Sequence, residues 1–314
     1  MAVLLILLGS LLLAALLLGA GMFLFIFYRR RVPDYAAPGA IAASRWRDYE
    51  APMTQGAAWV AAQKPTRVTI QSFDGLTLAG QWIPRENARG TLVLLHGYRS
   101  SPVIDLYAGL SHYYALGFSL LICDQRAHGA SAGHLITMGV RERYDCLDWV
   151  AEAVRRFGPD VRILLTGVSM GAATVLMASG LDLPDNVVGI VADCPFSSPE
   201  AIVRKLCREY RLPEAVMLPL IRLGARLFGR FRLDGASSVE AVRRSRVPVL
   251  LIHGEDDRFV PCEMSREIAA NAPDAELLIV PGAGHALSCM VDAPRYSRAV
   301  EEFVGRVFGD ARKG

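Results

Sequence analysis

The chain has 314 residues, 52% of them hydrophobic and 21% charged, with a formal net charge of +3. That length suits one large domain plus an appendage; the charge is too low for nucleic-acid binding, and no zinc-type Cys/His spacing or aromatic RNA-reading motif is present. The six cysteines (Cys123, Cys146, Cys194, Cys207, Cys262, Cys289) are scattered, which argues against a disulfide framework and favours a reducing compartment.

From Ala2 to Tyr28 no residue is charged. As a helix this run reaches roughly 40 Å, more than the hydrocarbon thickness of a bilayer. A cleaved signal peptide would want a basic region first, a shorter apolar run and a small-x-small cleavage site, so residues 1–31 read as a retained single-pass anchor with a basic flank. Arg29, Arg30 and Arg31 follow the run at once. Positive charge stays on the cytoplasmic side, which puts the N-terminus outside and the rest of the chain in the cytoplasm. Residues 32–66 carry Pro33, Pro38, Pro52 and Pro65 among many alanines, the pattern of a linker with one short helix around Trp59.

Arg67–Ser72 and Leu76–Trp82 alternate around Asp74-Gly75, a hairpin signal. The period then changes. Continuous apolar runs at Thr91–Leu95, Phe118–Cys123, Arg162–Thr166, Val187–Ala192, Val247–Ile252 and Glu276–Val280 are separated by helical stretches such as Arg141–Phe157 and Met170–Ser179. Such runs are strands buried on both faces of a mostly parallel, doubly wound α/β sheet.

The strand at Arg162–Leu165 leads into Gly167-Val168-Ser169-Met170-Gly171 and then a helix. A strand, a tight glycine-flanked turn and a helix expose a serine, here Ser169, as a candidate nucleophile. A serine hydroxyl needs a base, and the base needs an acid to fix its tautomer. Two later loops supply candidates at the carboxyl ends of strands, where parallel sheets place ligands. One is His253-Gly254-Glu255-Asp256-Asp257, which leaves Asp256 and Asp257 open as the acid; the other is Pro281-Gly282-Ala283-Gly284-His285.

With these motifs, His96-Gly97-Tyr98 and Asp124-Gln125-Arg126-Ala127-His128-Gly129, the chain from about Arg67 to Phe308 resembles the α/β-hydrolase superfamily. The likeness is to bacterial membrane-anchored members related to serine aminopeptidase-type and acylglycerol-lipase-like hydrolases. The resemblance implies an α/β-hydrolase fold over residues 67–314 and a triad of Ser169, Asp257 and His285. It leaves Asp256 as a solvated loop residue and gives the other histidines structural or surface roles. The oxyanion donors it implies are the backbone N–H groups of Tyr98 and Met170, with the Tyr98 side chain either lining the acyl pocket or covering the turn. No metal or organic cofactor is expected.

The resemblance also implies a helical cap in the roughly fifty residues between Ala192 and Val247, taken as the insertion 195–240. From Met217 to Phe231, a projection at 100° per residue puts Arg222, Arg226 and Arg230 on one stripe, opposite Leu220, Ile221, Leu223, Leu227, Phe228 and Phe231. That pattern suits a membrane interface, an apolar substrate tunnel or an ordinary packed cap. The cap carries Glu200, Glu209 and Glu214 but is basic on balance, which disfavours an aminopeptidase that must meet a substrate ammonium group. The expected activity is hydrolysis of a carboxylic ester or thioester in a small-molecule or lipid-like acyl substrate. The alternatives are a peptidase or amidase of the same fold and a catalytically idle, membrane-tethered binding module.

Overall fold

The computed structural model describes residues 1–309; the last residues of the expected domain, 310–314, lie outside the described residues. The chain begins with helix α1 (Ala2–Phe27), then α2 (Glu50–Ala62) and the hairpin β1 (Thr66–Gln71) and β2 (Thr77–Ile83). The doubly wound part runs β3 (Gly90–Leu95), α3 (Pro102–Asp105), α4 (Tyr107–Ala115), β4 (Phe118–Cys123), α5 (Glu142–Phe157), β5 (Ile163–Val168), α6 (Met170–Ser179) and β6 (Val187–Asp193). The cap helices α7 (Pro199–Glu209), α8 (Glu214–Leu227) and α9 (Ser238–Val242) follow. The chain then returns through β7 (Val249–Gly254), α10 (Glu263–Ala269), β8 (Ala275–Val280), α11 (Ser288–Val291) and α12 (Ala293–Phe308).

The strands form one eight-stranded sheet in the order β1-β2-β4-β3-β5-β6-β7-β8. The two pairings that involve β2 are antiparallel, and every pairing from β4 to β8 is parallel. Every residue of β3, β4, β5 and β7 is buried, because helices cover both faces and a continuous apolar run has no side left for water. The amphipathic α5 lays Cys146, Trp149, Val150 and Ala153 on one face, while α12 covers the other with Val300, Phe303 and Val304. Both are spaced at helical periodicity.

Among the described residues α1 is the one helix long and apolar enough to cross a membrane, and most of its surface is exposed. Its last turns behave differently. Phe23, Ile26 and Phe27 are buried against the cap, and Gly224 of α8 sits where an added Cβ would press on the Phe23 side chain.

Two expectations need correction. The linker expected over residues 32–66 has its helix around Trp59 in α2, but the segment packs onto the domain. Ile41 and Met53 bury against Ile104, and α2 lies against α4 so closely that a Cβ on Gly56 would fall 2.5 Å from the Tyr107 carbonyl carbon. Apolar residues spaced through a proline-rich segment found a surface to cover. The single helix projected over Met217–Phe231 begins earlier and stops at Leu227, with Arg230 in a left-handed turn at φ 52°. Arg222 leaves the basic stripe to pair with Glu200, and the apolar side divides: Met217, Leu218 and Ile221 are buried, while Leu223, Leu227 and Phe228 are exposed. Helix α1 occupies the place that solvent would have held.

The α2 contact has a measurable consequence. Gly56→Val is expected to lift α2 from α4, so that limited proteolysis cuts within residues 32–66 before the rest of the domain; unchanged protease resistance would contradict this packing.

Candidate active site

Ser169 links β5 to α6 at φ 55° and ψ −115°, a left-handed backbone that costs a non-glycine residue on the order of 1–3 kcal/mol. The flanking glycines explain how the turn closes. A Cβ on Gly167 would strike the Gly171 carbonyl, and one on Gly171 would strike the Leu95 carbonyl. Helix α6 therefore packs directly on β3 and β5, and the serine side chain is forced outward at the carboxyl edge of the sheet.

The two other loops meet it there. His285 Nε2 lies 2.9 Å from Ser169 Oγ, and His285 Nδ1 lies 2.6 Å from Asp257 Oδ2. With the carboxylate accepting from Nδ1–H, the Nε2 lone pair faces the hydroxyl. Asp257 Oδ1 accepts from the Phe259 and Val260 N–H groups, both at 2.8 Å. Burial alone would raise the Asp257 carboxyl, but hydrogen bonds from His253 and His285, the electrostatic attraction of His285 and the Val260 N–H hold it well below the usual carboxylate range. It therefore stays ionised beside the imidazole. Asp256, the adjacent candidate, is exposed to solvent.

His253 belongs to this group in a way its His-Gly turn does not advertise. Its Nδ1 lies 2.6 Å from Ser265 Oγ, and its Nε2 lies 2.8 Å from the Val260 carbonyl and 3.2 Å from Asp257 Oδ2. It braces the Asp257 carboxylate at Oδ2, the oxygen that also meets His285. Cys194 lies with Asp257 and His285 in a cluster whose spacing is that of metal ligands. The imidazole and carboxylate atoms are already engaged with each other and with Ser169, and burial pushes the Cys194 thiol up, away from the thiolate a metal wants. The donors do not fit a resident ion.

The loop after β3 faces Ser169 from the other side. Gly97 N donates to Asp105 Oδ2 at 2.6 Å, and Ser100 Oγ donates to Asp105 Oδ1 at 2.8 Å. His96 Nε2 accepts from Gln125 N at 3.1 Å, and His128 Nε2 accepts from Arg99 N at 2.9 Å while His128 Nδ1 donates to the Arg126 carbonyl. The backbone N–H groups of Tyr98 and Met170 have no acceptor among the described residues. The Tyr98 side chain both lines the cavity and bonds away from it, its hydroxyl donating to the Ile26 carbonyl at 2.6 Å.

A cavity of about 430 Å³ opens above Ser169, with Trp46, Tyr49, Tyr98, Phe259 and Leu287 among its walls and Arg45 at its rim. Arg45, Trp46 and Tyr49 come from the segment read as a linker, where no motif marks them. The cap carboxylates are engaged: Glu200 with Arg204 and Arg222, Glu214 with Arg204, Glu209 with Lys205.

A model of the alpha/beta hydrolase family matches residues 92–304. The chain belongs to that family. Among its relatives, the uncharacterized Bacillus subtilis protein YqkD is 28% identical over 241 residues, covering 76% of this chain and 79% of that one. A monoacylglycerol lipase of Mycolicibacterium smegmatis is 24% identical over 251 residues, covering 65% of this chain and 84% of the lipase. Among solved structures, the Pyrococcus furiosus esterase Pf2001 superposes with a TM-score of 0.63 at 25% identity, covering 79% of this chain and 96% of the esterase. Family and esterase neighbours together support hydrolase activity for this α/β hydrolase.

The pocket-side histidine network makes acid stability testable. Burial, with lesser contributions from the neighbouring His96, Arg29 and Arg99 charges, pushes the His128 imidazole down to about 3. The unfolded chain takes up a proton there below about pH 6.5. Folding stability from this site is therefore complete above that pH and is lost as pH falls towards about 3, by at most about 1.4 kcal/mol per pH unit. Urea midpoints at pH 7 and pH 5 should drop less in His128→Gln than in the unsubstituted protein; equal drops would contradict a neutral buried imidazole.

Proposed function

We propose that this α/β hydrolase cleaves carboxylic ester or thioester bonds through an acyl intermediate on Ser169, on small acyl or lipid-like substrates, while α1 anchors it in a membrane with the catalytic domain on the cytoplasmic side. The observation that carries the reading is the unbroken hydrogen-bond chain from the Ser169 hydroxyl through His285 to Asp257, at the floor of a mostly apolar cavity.

In this mechanism Ser169 Oγ attacks the carbonyl carbon as its proton passes to His285 Nε2, and the carbonyl electron pair moves onto oxygen. Asp257 stabilises the imidazolium and keeps its orientation. The Tyr98 and Met170 N–H groups receive the oxyanion, where one such donor is worth about 10²–10³ in rate. Collapse expels the alcohol or thiol, which takes the proton from His285. Water then attacks the acyl-serine, again giving a proton to His285, and the acid leaves as Ser169 recovers its hydroxyl. Each proton and electron pair moves between protein groups, substrate and water.

The apolar walls from Trp46, Tyr49, Phe259 and Leu287 support an acyl substrate. The cap carboxylates are all in ion pairs, Glu200, Glu209 and Glu214 as above, Asp234 with Arg232 and Glu240 with Arg243, which weighs against the aminopeptidase alternative, where a carboxylate must meet the peptide ammonium group. The length and apolarity of α1 and the exposure of Arg30 and Arg31 after it support the anchored, cytoplasmic orientation. Arg29 is spent differently, donating to the Gly129 and Ser131 carbonyls.

Ser169→Ala should abolish both turnover of nitrophenyl esters and labelling by a fluorophosphonate probe, while far-UV circular dichroism stays unchanged. A folded parent protein that takes up no probe would contradict the proposal and favour the idle binding module.

A further inference from the structure

The apolar helix reaches further into the domain than a tether requires. Its last carbonyls, at Phe25, Ile26 and Tyr28, point at the loop that carries Tyr98. The Tyr98 hydroxyl donates to the Ile26 carbonyl at 2.6 Å, and the Arg99 guanidinium donates to the Phe25 carbonyl at 2.6 Å and the Tyr28 carbonyl at 2.9 Å. Helix ends leave such carbonyls without intrahelical donors, and their partial negative charge attracts a cation.

We propose that the last turn of α1 sets the position of the oxyanion donor at Tyr98, through the Tyr98 phenol and the Arg99 guanidinium, so that these two side chains are positioning residues and the apolar helix is a working part of the site. The proposal rests on the Ser169 mechanism above.

Three features carry it. Tyr98 presents its backbone N–H and its phenol from one residue, so the hydroxyl's grip on Ile26 limits how far the N–H can rotate. Burial pushes that phenol up to about 12, which keeps its proton in place for the bond. Arg99 is held in the left-handed region at φ 49°, a conformation that persists where surroundings over-determine it. Here the His128 ring fixes its backbone N–H and α1 fixes its side chain.

The helix end is itself a firm reference. Phe27 is fully buried, its carbonyl accepts from Ile136 N at 2.7 Å, and Arg29 N donates to the His134 carbonyl at 2.8 Å. Phe27 packs edge-on to Phe231 with ring centroids 5.2 Å apart, and Phe23 tilts against Phe228 at 5.8 Å. The turn of α1 that meets Tyr98 is thus fastened to the cap on one side and to the 129–136 loop on the other. A shift of this turn must move Tyr98 with it.

The test uses the full chain in detergent, a soluble short-chain nitrophenyl ester, and an alkyl trifluoromethyl ketone whose adduct with Ser169 carries the oxyanion. Tyr98→Phe removes one hydroxyl and leaves the backbone N–H. It should lower kcat about tenfold with KM changed by less than about twofold, and weaken ketone inhibition by the same factor as kcat/KM. Arg99→Ala should do the same, and Arg99→Lys, which keeps a donor, should recover part of the loss. A Tyr98→Phe protein with parental kcat and ketone inhibition would overturn the positioning role and leave the Ser169 mechanism standing. A rise in KM alone would overturn it in favour of pocket lining. A parent protein that neither turns over ester nor binds the ketone would take down both readings.

Discussion

Close backbone packing at the Ser169 turn is the constraint from which the rest of the site follows. Because Gly167 and Gly171 let α6 sit directly against β5 and the Leu95 carbonyl, the serine between them is driven into a left-handed backbone with its hydroxyl outward. The strain is retained because the buried sheet and the fully buried helix α6 surround it on all other sides. The same packing puts the Met170 N–H at the start of a helix, without an acceptor among the described residues, in the cluster against which Tyr98 packs. Parallel register then brings the loops after β7 and β8 to the same edge, which is why residues 116 positions apart in sequence, Ser169 and His285, come within hydrogen-bonding distance.

Around this fixed centre the variable parts are drawn from outside the sheet. The cavity wall takes Trp46 and Tyr49 from the segment before the hairpin, and the cap is braced by the last turns of α1. Phe27 alone, fully buried, is worth on the order of 1.5–3 kcal/mol. In the proposed function this arrangement gives one helix two duties: its exposed apolar length suits lipid, and its final turn supports the catalytic loop. The exposed Phe228 just after α8 continues the apolar surface of α1 at its point of contact, which in the proposed function suits acyl groups that arrive from a bilayer.

The sheet was legible because buried parallel strands write themselves as continuous apolar runs: the run at Phe118–Cys123 coincides with β4, and the other five differ from their strands by only a few residues at either end. The serine turn was legible because tight backbone approach leaves glycines at fixed spacing. The choice between Asp256 and Asp257 was open in the residues themselves; geometry separates them, since one carboxylate is buried against His285 and the other faces water. Asp105, His128 and the second contact of His253 carry no motif, because their work is to hold backbone groups brought near only by folding. The proline-rich segment misled for the opposite reason: composition reports local stiffness, whereas Ile41, Met53 and Gly56 are placed by a surface that other parts of the chain build. Helix α8 shows the same limit, since a helical projection cannot know that α1 will cover one of its faces.

In the proposed function everything turns on a covalent acyl group on Ser169. Rapid acid quench during turnover of a nitrophenyl ester, followed by peptide mass spectrometry, would capture it. The expected result is the mass of the acyl group on the peptide that contains Ser169 and on no other peptide, disappearing when the substrate is exhausted. An acyl adduct on a different residue, or steady turnover with no adduct while nitrophenol release shows a burst, would contradict it.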